Sequence, residues 1–489
     1  MRELLMPISA SFSNARPRLL RVRRAALALA VISSLGLSAC AVGPTYSPPP
    51  VTNTAQWNSP LPHDGDVKAL AQWWAGWNDP ALVTFINAAQ TNNPTLEQAI
   101  ARINQARATQ GIVGSSVLPT VAGGANAQRG NSQTGLGAAT TFGASLQAAW
   151  ELDLFGANRR GREAADARLS ARALDWHQAR VSLAADVAAT YVNLRISEAL
   201  AMGFERDAAS RSETARLTDL KTNAGFEAPA NAALARAGAA EAHARLIAQR
   251  ADVDLSVKQL VALTGLTERV VRDTLPTAKA LLPVSPALAI ERLPASTLSQ
   301  RPDLASVERE LAALTADIGA AEADRYPRIS LTGSVGYSVG RAMGATTDGA
   351  TWGFGPSITL PIFDAGRRAS NAELVKARYD EALAGYKATA SRAVREVEEA
   401  LTQVHAAGLR KPDLAASLAG YQSFEKAAQA RLAAGAGSVL ELEDARRAVL
   451  AAQVGLLALE REQLIATISL YRAVGGGYRL ADAATSPAR

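Results

Sequence analysis

Two hydrophobic patterns alternate along the chain. One is short, rich in glycine and has a period of two. From Phe142 the even positions are Phe142, Ala144, Leu146, Ala148, Trp150, Leu152 and Leu154, against Gly143, Ser145, Gln147, Ala149, Glu151 and Asp153. From Ile329 the apolar set is Ile329, Leu331, Val335, Tyr337 and Val339, and from Trp352 it is Trp352, Phe354, Pro356, Ile358, Leu360 and Ile362. A weaker copy starts at Val121. Alternation of this kind predicts strands with one apolar face, over about 119–129, 141–154, 328–340 and 351–362. Their length of about ten residues suits outer-membrane strands, with Phe142, Leu146, Trp150, Ile329, Leu331, Trp352, Phe354 and Ile358 facing lipid. Phe142 and Trp352 are expected at one membrane level, and Trp150, Phe155 and Phe363 at the other. A soluble β-sandwich shares the alternation.

The second pattern is long, rich in alanine and helical, over roughly 157–222, 229–265, 365–434 and 437–475. A helix of about 65 residues spans about 100 Å, far more than a globular helix. In the last segment Leu442, Ala445, Val449, Ala452, Leu456 and Leu459 form a heptad seam. Leu450, Val454, Leu457, Leu464, Ile468 and Tyr471 form a second one. Two seams require a neighbour on each side, as in a closed layer of helices.

The patterns repeat. Asn93-Pro94-Thr95-Leu96 returns as Arg301-Pro302-Asp303-Leu304, Pro119 as Pro327, and Leu154-Phe155 as Ile362-Phe363, each 208 positions on. The same register pairs Gly156-Ala157-Asn158-Arg159-Arg160 with Asp364-Ala365-Gly366-Arg367-Arg368, whereas Gly225 matches Gly435 and Gly265 matches Gly475 at 210. That period is too long for a solenoid and marks duplication of a structural half. The expected organisation is a leader (1–39), an N-terminal segment (40–80), a first repeat (81–270), a non-helical Pro-rich linker (271–300), a second repeat (301–478) and a tail (479–489).

The chain has 489 residues and a formal charge of +6. Residues 1–39 hold six Arg against one Glu, so Cys40 to Arg489 carries only +1. Nucleic acid binding thereby loses its compositional support. Arg16–Arg24 followed by apolar Ala25–Leu37 reads as a secretory signal, since thirteen residues fall short of the about 20 needed to span a bilayer. Leu37-Ser38-Ala39-Cys40 resembles a bacterial lipobox, and Cys40 is the single Cys in the chain. Cys40 is therefore the expected lipid attachment point, the alternative being a periplasmic protein with a chance Cys. By resemblance to lipoprotein sorting rules, Ala41 after it directs the protein to the outer membrane. One Cys also excludes an intrachain disulfide and a thiolate zinc site. The four His show no metal-ligand spacing, and there is no Walker loop or HExxH motif, so neither a cofactor nor an enzyme activity is expected.

Four strands cannot close a membrane barrel, and an open edge in lipid is prohibitively costly. The chain must oligomerise. Two copies give eight strands and a filled interior, while three give twelve and room for a channel.

Several pieces in order carry a family resemblance: Cys40-Ala41-Val42-Gly43-Pro44, Trp73-Trp74 with Asn78-Asp79-Pro80-Ala81-Leu82, and Trp150-Glu151-Leu152-Asp153-Leu154-Phe155-Gly156. Arg301-Pro302-Asp303-Leu304, Pro361-Ile362-Phe363-Asp364-Ala365-Gly366 and Leu470-Tyr471-Arg472-Ala473-Val474-Gly475-Gly476-Gly477 complete the set. The chain resembles a TolC-like outer membrane factor of the lipoprotein branch that serves resistance-nodulation-division pumps. The resemblance implies an α+β membrane protein: a homotrimeric, 12-stranded outer-membrane barrel on a periplasmic helical tunnel. It implies a passive exit duct for small molecules, with a periplasmic membrane-fusion adaptor and an inner-membrane pump as partners. It also places Leu440 and Asp444, one helical turn apart, as a periplasmic gate at the tunnel axis. Arg431 and Arg446 are candidate latches for Asp444. Glu443-Asp444-Ala445-Arg446 departs from the Leu-Asp-Ala-Gln of many relatives. A type I protein-secretion duct and a non-conducting periplasmic tether are the competing readings. The Trp73, Trp74 and Trp77 cluster is expected to be core packing.

Overall fold

The computed structural model describes residues 42–49, 73–131, 138–276, 282–284, 301–342 and 344–476. The leader, Cys40, most of the linker and the tail lie outside the described residues. In chain order the elements are α1 (Pro80–Asn92), α2 (Pro94–Ser115), β1 (Thr120–Asn131), β2 (Ala138–Leu152), α3 (Ala157–Asn223), α4 (Pro229–Thr264) and α5 (Glu268–Thr274). They continue with α6 (Pro302–Ala323), β3 (Arg328–Ala342), β4 (Ala345–Thr359), α7 (Arg367–Ala433) and α8 (Val439–Ala473).

The duplication is visible element by element. Helices α2 and α6 are each 22 residues long and start 208 positions apart. Helices α3 and α7 each run for 67 residues and start 210 apart. The two-residue insertion therefore falls at the strand-to-helix turn. Gly156 (φ 83°) corresponds to Gly366 (φ 85°), not to Asp364, and Asp364-Ala365 is the extra pair. The left-handed turn at these positions has no steric cost for glycine. The linker is shorter than expected, because α5 makes residues 271–274 helical.

The chain divides into two units. The first comprises Met1–Tyr46, Gln110–Ala165 and Ala313–Arg378 and holds an antiparallel sheet in the order β1-β2-β3-β4. Strand β4 begins at Ala345 rather than 351 and ends at Thr359 rather than 362. Ala345–Ala350 has no apolar alternation, so pairing with β3 extends the strand where hydropathy cannot show it. Gly143 lies opposite Asn126, whose Oδ1 would stand 2.6 Å from any added Cβ, so a larger residue there would make the Asn126 side chain turn away. Asp153 follows the strand and accepts from the N–H groups of Asn158 (3.2 Å) and Arg159 (2.7 Å), capping α3. It is a helix cap, not a carboxylate of the strand's polar face.

The second unit comprises Ser47–Thr109, Asp166–Ala312 and Tyr379–Arg489. Its helices form a layer in the order α4-α3-α8-α7. Helix α4 meets α3 through Ala208, Ala242, Leu246 and Phe204. Helix α3 meets α8 where Leu450 lies against Gly203 and where Arg461 Nε donates to Asn193 Oδ1 (2.8 Å). Helix α8 meets α7 through Leu442 and Ala445 against Ala428 and Leu432. The two seams of α8 thus have two partners.

The main core of this unit gathers Trp73, Trp74, Trp77, Leu82, Phe85, Tyr191, Leu260 and Tyr471. Trp73 stacks on Tyr471 at 4.8 Å, so the tryptophan cluster is core packing as expected. Asp79 caps α1 with Oδ1 and accepts from the Tyr191 hydroxyl with Oδ2 (2.7 Å). Burial and that hydrogen bond push the Tyr191 hydroxyl upward, so it stays protonated and donates. The repeated motifs have matching roles. The Asn93 side chain donates to the Leu263 carbonyl (2.8 Å) at the end of α4. Arg301 donates to the Ala473 carbonyl (2.9 Å) at the end of α8 and also binds Asp303 and Glu396.

Candidate functional site

The chemistry of this protein lies in two surfaces, one in each unit. In the sheet, directly paired residues share a face. The register places Gly123, Leu146, Val335 and Trp352 in one row, with Val121, Ala148, Gly333 and Phe354 beside it. Phe142, Trp150, Ile329, Leu331 and Ile358 lie on that same face, so all eight nominated apolar residues are together. Trp352 is 82% exposed and Phe354 74%, which water alone would not favour. Phe142 pairs with Val339 and Trp352 with Val335, so the two rings stand in different rows, not in one. The indole of Trp150 is fixed by donating to the Val117 carbonyl (3.0 Å).

The opposite face is polar and small, with Ser145, Gln147, Asn126, Thr332, Ser334, Ser338 and Thr351. Its charges are Glu151 and Arg328, 3.9 Å apart at the end that leads into the helices. Strands β1 and β4 are the two edges of the sheet.

The second surface is the hairpin tips. After α3, Gly225 (φ 78°) lets the Phe226 N–H return to the Lys221 carbonyl (2.8 Å). After α7, Gly435 (φ 71°) lets the Ala436 N–H return to the Arg431 carbonyl (2.9 Å). Both are Schellman ends, which need a left-handed residue at that point. Ser438 then caps α8 through the Glu441 N–H (3.1 Å).

Leu440 (59% exposed) and Asp444 lie on the open face of α8, together with Arg447, while Leu442, Ala445 and Val449 are buried. Neither nominated latch reaches Asp444 within the chain. Arg431 pairs with Glu441, Arg446 pairs with Glu443 (3.0 Å) and Glu425 (3.8 Å), and Asp444 pairs with Arg447. The reason is helical phase. Arg446 is two residues from Asp444 and points to another face, whereas Arg447 at i+3 shares its face. Glu443 was missed as the link, since it also accepts from the Thr214 hydroxyl of α3 (2.8 Å). Its departure from the leucine of many relatives was the available signal.

Of the histidines, His177 is half-buried against the Trp176 ring, while His243 and His405 are exposed. Among the described residues no group of His, Cys, Asp or Glu could hold a metal ion, and no helix is long and apolar enough to cross a membrane.

A sheet with one lipid-compatible face, one polar face and two open edges, encoded twice over with long helical hairpins, defines a TolC-like outer-membrane channel subunit. The family model for outer membrane efflux proteins matches residues 85–266 and 293–476. Nodulation protein T of Rhizobium leguminosarum bv. viciae is 29% identical over 459 residues, covering 92% of this chain and 93% of the relative. The solvent efflux pump outer membrane protein SrpC of Pseudomonas putida is 29% identical over 469 residues, covering 93% and 99%. The solved outer-membrane channel OprN superposes with a TM-score of 0.79 at 30% identity, covering 89% of this chain and 99% of that one. This chain belongs to the outer membrane efflux protein family, and it serves efflux at the outer membrane.

Proposed function

We propose that three copies of this chain form a passive exit duct for small molecules, completing a path from an inner-membrane resistance-nodulation-division pump through a periplasmic adaptor. The observation that carries the reading is the four-stranded sheet whose β1 and β4 edges lack a neighbour among the described residues. Unpaired backbone in lipid is too costly to persist, and three sheets closed edge to edge make twelve strands around a water-filled lumen. The flanks of the helical layer support association as well. Leu234, Ile247 and Leu255 on α4, and Leu409, Tyr421 and Phe424 on α7, are exposed in the single chain. In the assembly the apolar sheet face meets lipid and the polar face lines the lumen. Cys40 carries acyl chains that add a second hold on the membrane. No cofactor takes part.

The polar face is nearly free of charge, so the barrel passes what the pump delivers and leaves substrate choice to its partners. At the periplasmic tips three Leu440 and three Asp444 side chains narrow the path. Planar-bilayer recording tests this reading. Leu440→Ala with Asp444→Ala should raise single-channel conductance and shift selectivity towards anions, because Arg447 loses its partner. A protein that inserts but never conducts, as wild type or variant, would be a tether and not a duct.

A further inference from the structure

The apolar face of the sheet ends in a basic row. Next beyond the row of Ala127, Phe142, Val339 and Asp348 comes Arg129, Thr140, Arg341 and Thr346, one residue from each strand. This row lies at the hairpin-turn end, away from the ends that lead into α2, α3, α6 and α7. Arg129 and Arg341 are both exposed. Arg341 Nε reaches the Thr346 hydroxyl at 3.5 Å, which leaves its two terminal nitrogens available. Among the described residues neither arginine has a carboxylate partner, and the intervening turn residues, 132–137 and Met343, contain no acid. The nearest carboxylate on this face, Asp348, is engaged by the Tyr337 hydroxyl.

The position of the row is as telling as its chemistry. From Phe142 to Leu152 the apolar band covers about 33 Å along the strand, or about 25 Å of membrane height once strand tilt is included. The arginines therefore sit where headgroups begin. At the opposite end of the same face the rows hold Trp150, Leu331 and Pro356, then Leu152, Ile329 and Ile358, without a charge. Outward positive charge is confined to one leaflet. Arg129 and Arg341 stand two strand spacings apart, about 10 Å, with the Thr140 hydroxyl between them. Two guanidinium forks flanking a hydroxyl make a donor set for a tetrahedral oxyanion.

We propose that Arg129, Thr140 and Arg341 form a docking site for the phosphate headgroup of a lipid in the outer leaflet. The inference rests on the lipid-facing reading of this sheet face. The test uses the full-length protein in nanodiscs of phosphatidylcholine doped with diphosphorylated lipid A, with co-purifying lipid counted by mass spectrometry. The wild type should enrich lipid A around itself. Arg129→Ser with Arg341→Ser should reduce that enrichment about tenfold, the loss expected for charge-assisted hydrogen bonds. Arg129→Lys with Arg341→Lys should keep part of it. Equal enrichment in wild type and serine variant would overturn the proposal, as would displacement of lipid A by millimolar inorganic phosphate, which would mark a free-anion site. A separate control isolates the underlying reading. Brominated acyl chains should quench Trp352 in wild type and variant alike, measured against Trp352→Phe. Loss of that quenching in the wild type would refute the lipid-facing assignment itself.

Discussion

Thr214 of α3 donates a hydrogen bond of 2.8 Å to Glu443 of α8, joining residues from the two halves of the repeat near the hairpin tips. Arg446 donates to the same Glu443 oxygen at 3.0 Å and approaches Glu425 of α7 at 3.8 Å. Glu443 and Arg446 of α8 thus link that helix to α3 on one side and α7 on the other. Each hydrogen bond to a charged group contributes about 1.5–3 kcal/mol at most when shielded from water. Glu443→Gln should therefore loosen the tip and raise the resting open probability in planar bilayers up to about tenfold. Thr214→Val should do the same more weakly. Unchanged opening in both would make this network ordinary packing.

The two faces of β2 should respond differently to charge. Leu146→Arg puts a guanidinium on the apolar face and should cost about 2–4 kcal/mol, seen as reduced yield of folded protein in the membrane. Ser145→Arg lies on the polar face and should insert at near wild-type yield while altering ion selectivity. Equal yields for the two variants would contradict the assignment of the faces.

Arg301 holds the end of α8 from a buried position, with Asp303, Glu396 and the Ala473 carbonyl as acceptors. Arg301→Ala removes the guanidinium from all three acceptors, leaving Asp303 only the Leu304 N–H, and should lower stability by about 2–4 kcal/mol. Denaturant unfolding of the detergent-solubilised protein reads this directly. Asn93→Ala removes the equivalent contact in the first half together with the cap that Asn93 Oδ1 gives the Thr95 N–H (2.8 Å), both neutral, so about 1–2 kcal/mol is expected.

Cells fed labelled palmitate should label the wild type and not Cys40→Ser. The variant should still reach the membrane, since four strands per chain bury far more apolar surface than acyl chains do. Label persisting in the variant would remove the anchor.

Much of this architecture was legible because it rests on periodicity. The strands at Phe142, Ile329 and Trp352 alternate cleanly, and the ends of α3, α4, α7 and α8 fall within two residues of their expected positions. The helices α1, α2 and α6 were overlooked, since residues such as Glu97, Gln98, Arg102 and Asn104 blur any apolar stripe in α2. Their contacts come from tertiary packing, not from local pattern. The one-turn spacing of Leu440 and Asp444 does put both on the exposed face of α8. The latch was not legible. Sequence spacing shows which charges are near, but only helical phase and the neighbouring α3 show that Glu443 turns inward and Asp444 turns to Arg447.

In the proposed duct, open strand edges drive three chains into one barrel. Native mass measurement of the detergent-extracted protein tests it most directly. Particles of three chains that keep their sheet content by circular dichroism are expected. A stable monomer or dimer with the same sheet content would contradict it, because its strand edges would be unpaired in lipid or its lumen filled.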